Sequence, residues 1–369
     1  MKAFFLSTLL FVSGVLGQDF NYKNVPSSYI TNVALGSDYN NLLLQAFDVT
    51  NSLPTNYVKD GTVDYTTYLQ QALNSHRVVK LPNFLVSINF KGLNLISNST
   101  IIFDNNSKIK MIPNDKSGYN MLSINGKSNI KLLNPKLVGD RNGHLGNKGE
   151  WGMGIGITNS SNIQIINPNI RDLWGDGIYI GGNKYSKDIT VKGGIIDNNR
   201  RNGITIVSGD NVKISNLVVS NSNGANPMTG IDIEPNSENN LKINVDFNSV
   251  TTFNNRVSGI TFNLNHLKST TLENSVNINL QDFKDQYSSY GISYSNMKSV
   301  TKKNLEGSVR FTNINLSNNQ IPIRFMNNNS SLDNMKLSTS GIQILHQNSS
   351  KYISDLNSFR KQGLIQNKK

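Results

Sequence analysis

The residues in this 369-residue chain best suited to chemistry are two acids one residue apart, in Gly230-Ile231-Asp232-Ile233-Glu234. In an extended segment their side chains leave the same face, with Cα atoms roughly 6.5 to 7 Å apart. Carboxyl groups separated by roughly 6.5 to 9.5 Å leave room for a water between an acid and a base flanking a glycosidic bond. Asp176, in Gly175-Asp176-Gly177, is the third acid of interest, and Arg200 and Arg201 lie between it and the pair. Adjacent guanidinium groups can hold a sugar carboxylate or sulfate bidentately, or neutralise the acids around them. A long segment between Val138 and Gly154 adds Arg141, His144, Glu150 and Trp151, with Trp174 at the next strand entrance. An aromatic there could stack on a sugar ring, His144 could act as a base, and Tyr179 could serve as either.

Each residue also has a plainer reading. Asp232 and Glu234 could be solvated or paired with Lys242, and Asp176 could be a turn residue using its carboxylate locally. The arginines could brace neighbouring loops, and a lone histidine on a polar loop is commonly only exposed.

The elements that must position these side chains follow from a repeat. Gly154-Ile155-Gly156-Ile157 recurs as Gly177-Ile178-Tyr179-Ile180, Gly203-Ile204-Thr205-Ile206 and Gly230-Ile231-Asp232-Ile233. Looser copies begin at Gly259, Gly291 and Gly341, and the first five intervals are 23, 26, 27, 29 and 32 residues. A second strand alternates with the first: Asn129-Ile130-Lys131-Leu132, Asn162-Ile163-Gln164-Ile165, Asp188-Ile189-Thr190-Val191, Asn211-Val212-Lys213-Ile214 and Asn240-Leu241-Lys242-Ile243. Alternation sends the aliphatic residues to one side, and a unit this short can bury them only by stacking on its neighbours. The fold expected is all-β: a right-handed parallel β-helix, or solenoid, with a short N-terminal capping helix. Stacking would align Gly156, Tyr179, Thr205, Asp232, Thr261 and Ser293 in one outward column. The asparagines would form side-chain ladders between coils.

The flanks differ from the repeat. Residues 1–17 read as a signal peptide, with Lys2, an apolar run to Val15 and small residues before Gln18. Residues 18–59 form a lead segment, 60–350 the β-helix with its cap, and 351–369 a basic polar tail. A helix over residues 64–75, carrying Tyr65, Tyr68, Leu69, Ala72 and Leu73 on one side, would close the open end of the solenoid. These features point to a secreted protein with no membrane partner.

Composition narrows the chemistry. The absence of cysteine excludes disulfide scaffolds and thiolate nucleophiles. The formal charge of +12, spread over scattered lysines more than over any one tail or helix, favours an anionic partner; outside the cell that means acidic polysaccharide rather than nucleic acid.

The stretch Asp60-Gly61-Thr62-Val63-Asp64, then Leu69-Gln70-Gln71-Ala72-Leu73-Asn74 and Val79-Lys80-Leu81-Pro82, resembles the start of pectate-lyase-like β-helix proteins. The coils continue the likeness to about residue 345. The resemblance implies the fold and an action on polysaccharide. It does not choose among polygalacturonase-like hydrolases, pectate and alginate lyases, epimerases and phage depolymerases. Of the polygalacturonase motifs only Gly175-Asp176-Gly177 is echoed, while Asp232-Ile233-Glu234 is similar to the acid pair of iota-carrageenases in reversed order.

The expectation is a secreted glycoside hydrolase with Asp232, Glu234 and Asp176 as its acids. The alternatives are a lyase using Tyr179 or His144, and a non-catalytic binding solenoid. Arg141, Glu150, Trp151, Trp174, Arg200 and Arg201 would hold the polymer. No cofactor is required; Ca²⁺ is compatible with the acids, although no loop has dedicated ligand spacing. A trimer is compatible with the fold.

Overall fold

The computed structural model describes residues 20–235, 242–264, 274–295, 305–326, 335–346, 350–353, 357 and 366–367. The proposed signal peptide, Asn240, Leu241 and most of the 351–369 tail lie outside these residues. The described residues form a right-handed parallel β-helix whose strands join in a nine-stranded and a twenty-stranded sheet. The Gly-Ile-x-Ile strands make the nine-stranded face, and the remaining strands of each coil wrap the other side.

Parallel pairing passes one register from coil to coil. Ile155, Ile178, Ile204, Ile231, Ile260 and Ile292 stack in the interior, as do Ile130, Ile163, Ile189, Val212 and Val245 on the opposite wall. These columns are almost wholly shielded from solvent. The outward column runs through Gly156, Tyr179, Thr205, Asp232, Thr261 and Ser293 as the alternation required, and continues to Arg324.

The recurring glycine is a steric requirement. A Cβ on Gly154, Gly177, Gly203 or Gly230 would lie 2.6 to 2.7 Å from the carbonyl oxygen of the next glycine in the column. The coils approach too closely there for any side chain. The asparagines serve the corners. Asn98, Asn129 and Asn162 adopt φ between 53 and 60°, a left-handed conformation Asn tolerates better than most residues. Their amides bond in series, Asn162 to Asn129 at 2.8 Å and Asn129 to Asn98 at 2.7 Å.

Similar corner asparagines tie down the lead segment, whose course the sequence did not indicate. Asn254 and Asn221 donate to the carbonyls of Asn21 and Lys23 at 3.0 Å, and Asn167 exchanges two bonds with Val33. The segment thereby straps several coils before reaching the helix Tyr39–Gln45. The capping helix is Thr66–Ser75, with Leu69, Ala72 and Leu73 buried. Tyr68, assigned to its apolar side, is 37% exposed, while Tyr65 is buried.

Gly341-Ile342-Gln343-Ile344 is not a further copy of the first-face strand. It pairs with Ile314–Leu316 positions of the twenty-stranded sheet, Ile342 opposite Ile314 and Ile344 opposite Leu316. The coil after Gly291 instead supplies Ile321–Met326, with Ile323 beneath Ile292. Alternation of isoleucines alone cannot distinguish the two faces. At the end of the chain Gln366–Asn367 adds a short parallel strand beside Ser338 and Thr339.

One acid lies inside the solenoid. Asp285 occupies an interior column opposite Thr252 and accepts hydroxyl bonds from Thr252 at 2.6 Å and Ser288 at 2.7 Å. Burial pushes its carboxyl up to about 7 against those bonds. The folded chain therefore retains a proton that the unfolded chain, with a carboxyl near about 4, has released. Stability contributed by this group is present at acid pH and is lost as pH rises toward 7. Melting temperature should fall between about pH 4 and about pH 7 for the wild type, and Asp285→Asn should flatten that slope. Gly177→Ala should cost about 1 to 3 kcal/mol in urea denaturation, because its methyl would also meet Ile196.

Candidate active site

A cavity of about 700 Å³ lies on the outside of the nine-stranded face, bounded by Gly118 and Trp151 toward one end and Glu234 toward the other. Small residues make its floor. Asn120 lies across Gly156, where a Cβ would come within 2.5 Å of its side-chain oxygen, and the Tyr179 ring lies across Gly181. Met153 and Val207 supply apolar walls. The volume is in the range of small-ligand sites.

Arg201 is the hub of the polar end. Its Nη1 donates to Asp176 Oδ2 at 2.8 Å, Nη2 reaches Glu234 Oε2 at 3.4 Å, and Nε lies 3.7 Å from Glu150 Oε2. Its own pKa is held above the ordinary arginine range by Asp176, Asp232, Glu234 and Glu150, against the cost of burial.

Asp176 is completely buried, with further bonds from Asn202 N at 3.0 Å and Thr205 Oγ1 at 2.8 Å. It is the first rung of a polar ladder at the strand entrances, since Asn202 Oδ1 in turn accepts from Thr229 N. Burial pushes its carboxyl up while Arg201 pulls it down, and burial dominates.

Asp232 is also buried, at 1% exposure, so the outward column does not carry it to solvent. Its carboxyl is pushed well above the ordinary value, first by burial and then by the neighbouring Glu234 carboxylate, with Arg201 opposing. Oδ2 is 3.4 Å from the Asn202 amide, and Oδ1 meets no donor. Burial and a neighbouring acid both favour the neutral form of such a carboxyl. Glu234, the more open of the two, lines the cavity. Lys242 is not their partner, because it reaches Asp210 at 3.4 Å.

The long segment is a braced lip. Asp140 is buried beneath it and accepts from Tyr119 Oη and from Asn114 Nδ2, and pairs with His144 Nδ1 at 2.8 Å. His144 has no exposed side-chain surface, so it stands away from the cavity. Its ring stacks at 3.8 Å on Trp174, whose opposite neighbour is the Arg200 guanidinium, also at 3.8 Å. Arg200 donates to Gly149 O at 2.8 Å, and Arg141 to Asn198 O at 2.7 Å. His144, Trp174, Arg200 and Arg141 therefore hold the lip in place and do not line the cavity. What the lip carries to the cavity is Trp151, 54% exposed, and Glu150 behind it.

The structure brings Asp176, Tyr179, Arg201, Asp232, Glu234, Glu150 and Trp151 together. The sequence reading missed Tyr119, Asn120, Met153 and Asn183, which also line the cavity. Leu122 and Ile124 pair with Ile155 and Ile157, so a coil that itself stacks on Leu93 precedes the Gly154 strand. It lacks the Gly-Ile signature, and only the alternating Leu122 and Ile124 could have revealed it. Among the described residues no three His, Asp or Glu side chains are arranged to hold a metal ion. The guanidinium of Arg201 fills the space among the acids that a cation would take. Among the same residues no helix is long and apolar enough to cross a membrane.

The chain matches no protein-family model. The uncharacterized protein YclG of Bacillus subtilis is 28% identical over 210 residues, covering 48% of this chain and 36% of YclG. The chain thus spans little more than a third of that relative. Among solved structures, polygalacturonase from Erwinia carotovora ssp. carotovora superposes with a TM-score of 0.51 at 11% identity, over 78% of this chain and 92% of that enzyme. The N-terminal fragment of bacteriophage phi29 gene product 12 gives 0.50 at 16% identity, over 84% and 61%. The fold is that of the pectate-lyase-like parallel β-helix proteins.

The two tryptophans offer a direct check of this geometry. With Trp174 removed as Trp174→Phe, the remaining fluorescence should be red-shifted and readily quenched by iodide. Trp151→Phe should leave a blue-shifted emission that iodide barely affects.

Proposed function

We propose that the chain is a polysaccharide-cleaving enzyme that hydrolyses glycosidic bonds in the groove between Trp151 and Glu234. The observation that carries this reading is the Asp232–Glu234 pair, in which a buried acid, its carboxyl pushed well above the ordinary value, stands beside an acid open to the groove. Such a pair has both a proton to give and a base to receive one. Glu234 would touch the glycosidic oxygen and pass it the proton shared with Asp232. Glu150 reaches the same guanidinium from the lip and is partly exposed, so it is the carboxylate available to activate water. Asp176 is a positioning residue that fixes Arg201, and Tyr179, Asn120 and Trp151 would hold the sugar rings. The likeness to a polygalacturonase over most of that enzyme's length supports polysaccharide as the substrate class.

Elimination is the weaker reading. A lyase must neutralise a uronate carboxylate, and Arg201 is already committed to acids while Arg200 is committed to Trp174 and Gly149.

Purified protein incubated with a polysaccharide panel should release reducing ends without new absorbance near roughly 235 nm, the signature of an unsaturated elimination product. Asp232→Asn and Glu234→Gln should each lower kcat by about 10² to 10⁴, the usual contribution of a positioned acid or base. Activity should fall on the alkaline side as the pair loses its proton. Full activity in both variants would end this assignment.

A further inference from the structure

The charges around the groove bear on which sugar it takes. Among the described residues lining the cavity, only Arg201 and Glu234 are charged. Arg201 gives one edge of its guanidinium to Asp176 at 2.8 Å, while Glu234 and Glu150 stand at 3.4 and 3.7 Å along the other. Its Nε–H has no acceptor, is buried and lies on the Glu150 side. Arg200 does not line the cavity; its guanidinium carbon lies 3.8 Å from the Trp174 ring centre and Nη1 donates to Gly149 O. Neither arginine therefore offers the cavity the empty two-pronged edge that binds a carboxylate. A uronate entering here would set its charge beside two glutamates, and could reach Arg201 only by displacing one of them. Like charges at such range repel strongly in a partly desolvated site. The remaining surface, formed by Gly156, Met153, Val207 and the Trp151 and Tyr179 rings, suits the uncharged faces of a sugar ring. The chain's formal charge of +12 is carried elsewhere.

We propose that the sugar seated over Glu234 is uncharged, a neutral hexose or N-acetylhexosamine, and that Glu150 and Glu234 exclude uronates from that position. This rests on the reading of the groove as a glycan site. It replaces the acidic polymer suggested by net charge with a polymer uncharged at the point of cleavage.

The test is calorimetric titration of the wild type and of the Glu150→Gln/Glu234→Gln variant with a hexamer of galacturonic acid at low ionic strength. Both glutamates are partly exposed, and circular dichroism would verify that the variant is folded. The variant should bind the hexamer at least tenfold more tightly than the wild type, and added salt should narrow the gap. Equal binding, tighter binding by the wild type, or no binding by either protein would overturn the proposal, since charge would not then be what excludes the uronate. The reading as a hydrolase fails separately. If the wild type releases reducing ends from the uronate hexamer, hydrolysis stands and this inference falls. If the variant shows the gain in affinity but the wild type cuts no glycan of the panel, exclusion stands and hydrolysis falls.

Discussion

Parallel strands one coil apart must hydrogen-bond at a spacing of about 4.8 Å, and this constraint governs both the interior and the outer surface. Inside, it forces each isoleucine to lie on the isoleucine of the coil below, so a short unit with little apolar content acquires a continuous core. At the strand entrances it brings successive backbones so close that glycine alone fits. Outside, the same register places Tyr179, Thr205 and Asp232 on consecutive rungs, though 53 residues separate the first from the last in sequence. The candidate site is therefore a property of the stack, and a change in register would dismantle it.

Within that frame, charge balance around Arg201 decides the state of each acid. Four carboxylates surround one guanidinium, which cannot neutralise them all. Asp176, completely buried, takes the shortest ion pair and two further hydrogen bonds. Glu234 and Glu150 are partly exposed and keep some solvation. Asp232 is buried without a partner on Oδ1, and burial and the Glu234 charge push its carboxyl well above the ordinary value. Burial thereby raises two acids of the same intrinsic strength unequally, Asp176 against its ion pair and Asp232 well above the ordinary value.

The sequence disclosed whatever repeats. The fold, the inward and outward alternation, the asparagine ladders and the column holding Asp232 follow from isoleucine, glycine and asparagine spacing. What it could not disclose depends on how side chains pack across coils. His144, Arg200 and Trp174 looked like ligand contacts because polar and aromatic residues on a long loop commonly are. The structure instead stacks them on one another at 3.8 Å, a geometry no local pattern encodes. Depth was equally hidden: alternation sends Asp232 outward, but only the side chains laid over it, Arg201 and Glu234 among them, make it buried. The lead segment has no periodicity and owes its path to distant asparagines. The coil containing Leu122 and Ile124 was missed because a different residue stands where its glycine would be.

The choice between an enzyme and a binding solenoid turns on the cost of that buried acid. A surface that only grips sugar needs exposed aromatics and hydrogen-bond donors, which Trp151, Tyr179 and Asn120 already offer. It gains nothing from a carboxyl sealed away from water with one oxygen unpaired, and such a group costs stability in proportion to its desolvation. Strained or underpaired polar groups of this kind are characteristic of sites where a protonation state is being set. Asp285 shows how the same fold treats a buried acid remote from the groove. Its oxygens are met by Thr252, Ser288 and Asn319, and it lies inside the solenoid. The contrast between the fully bonded interior acid and the underpaired one beneath Glu234 is the strongest structural argument for chemistry in the groove.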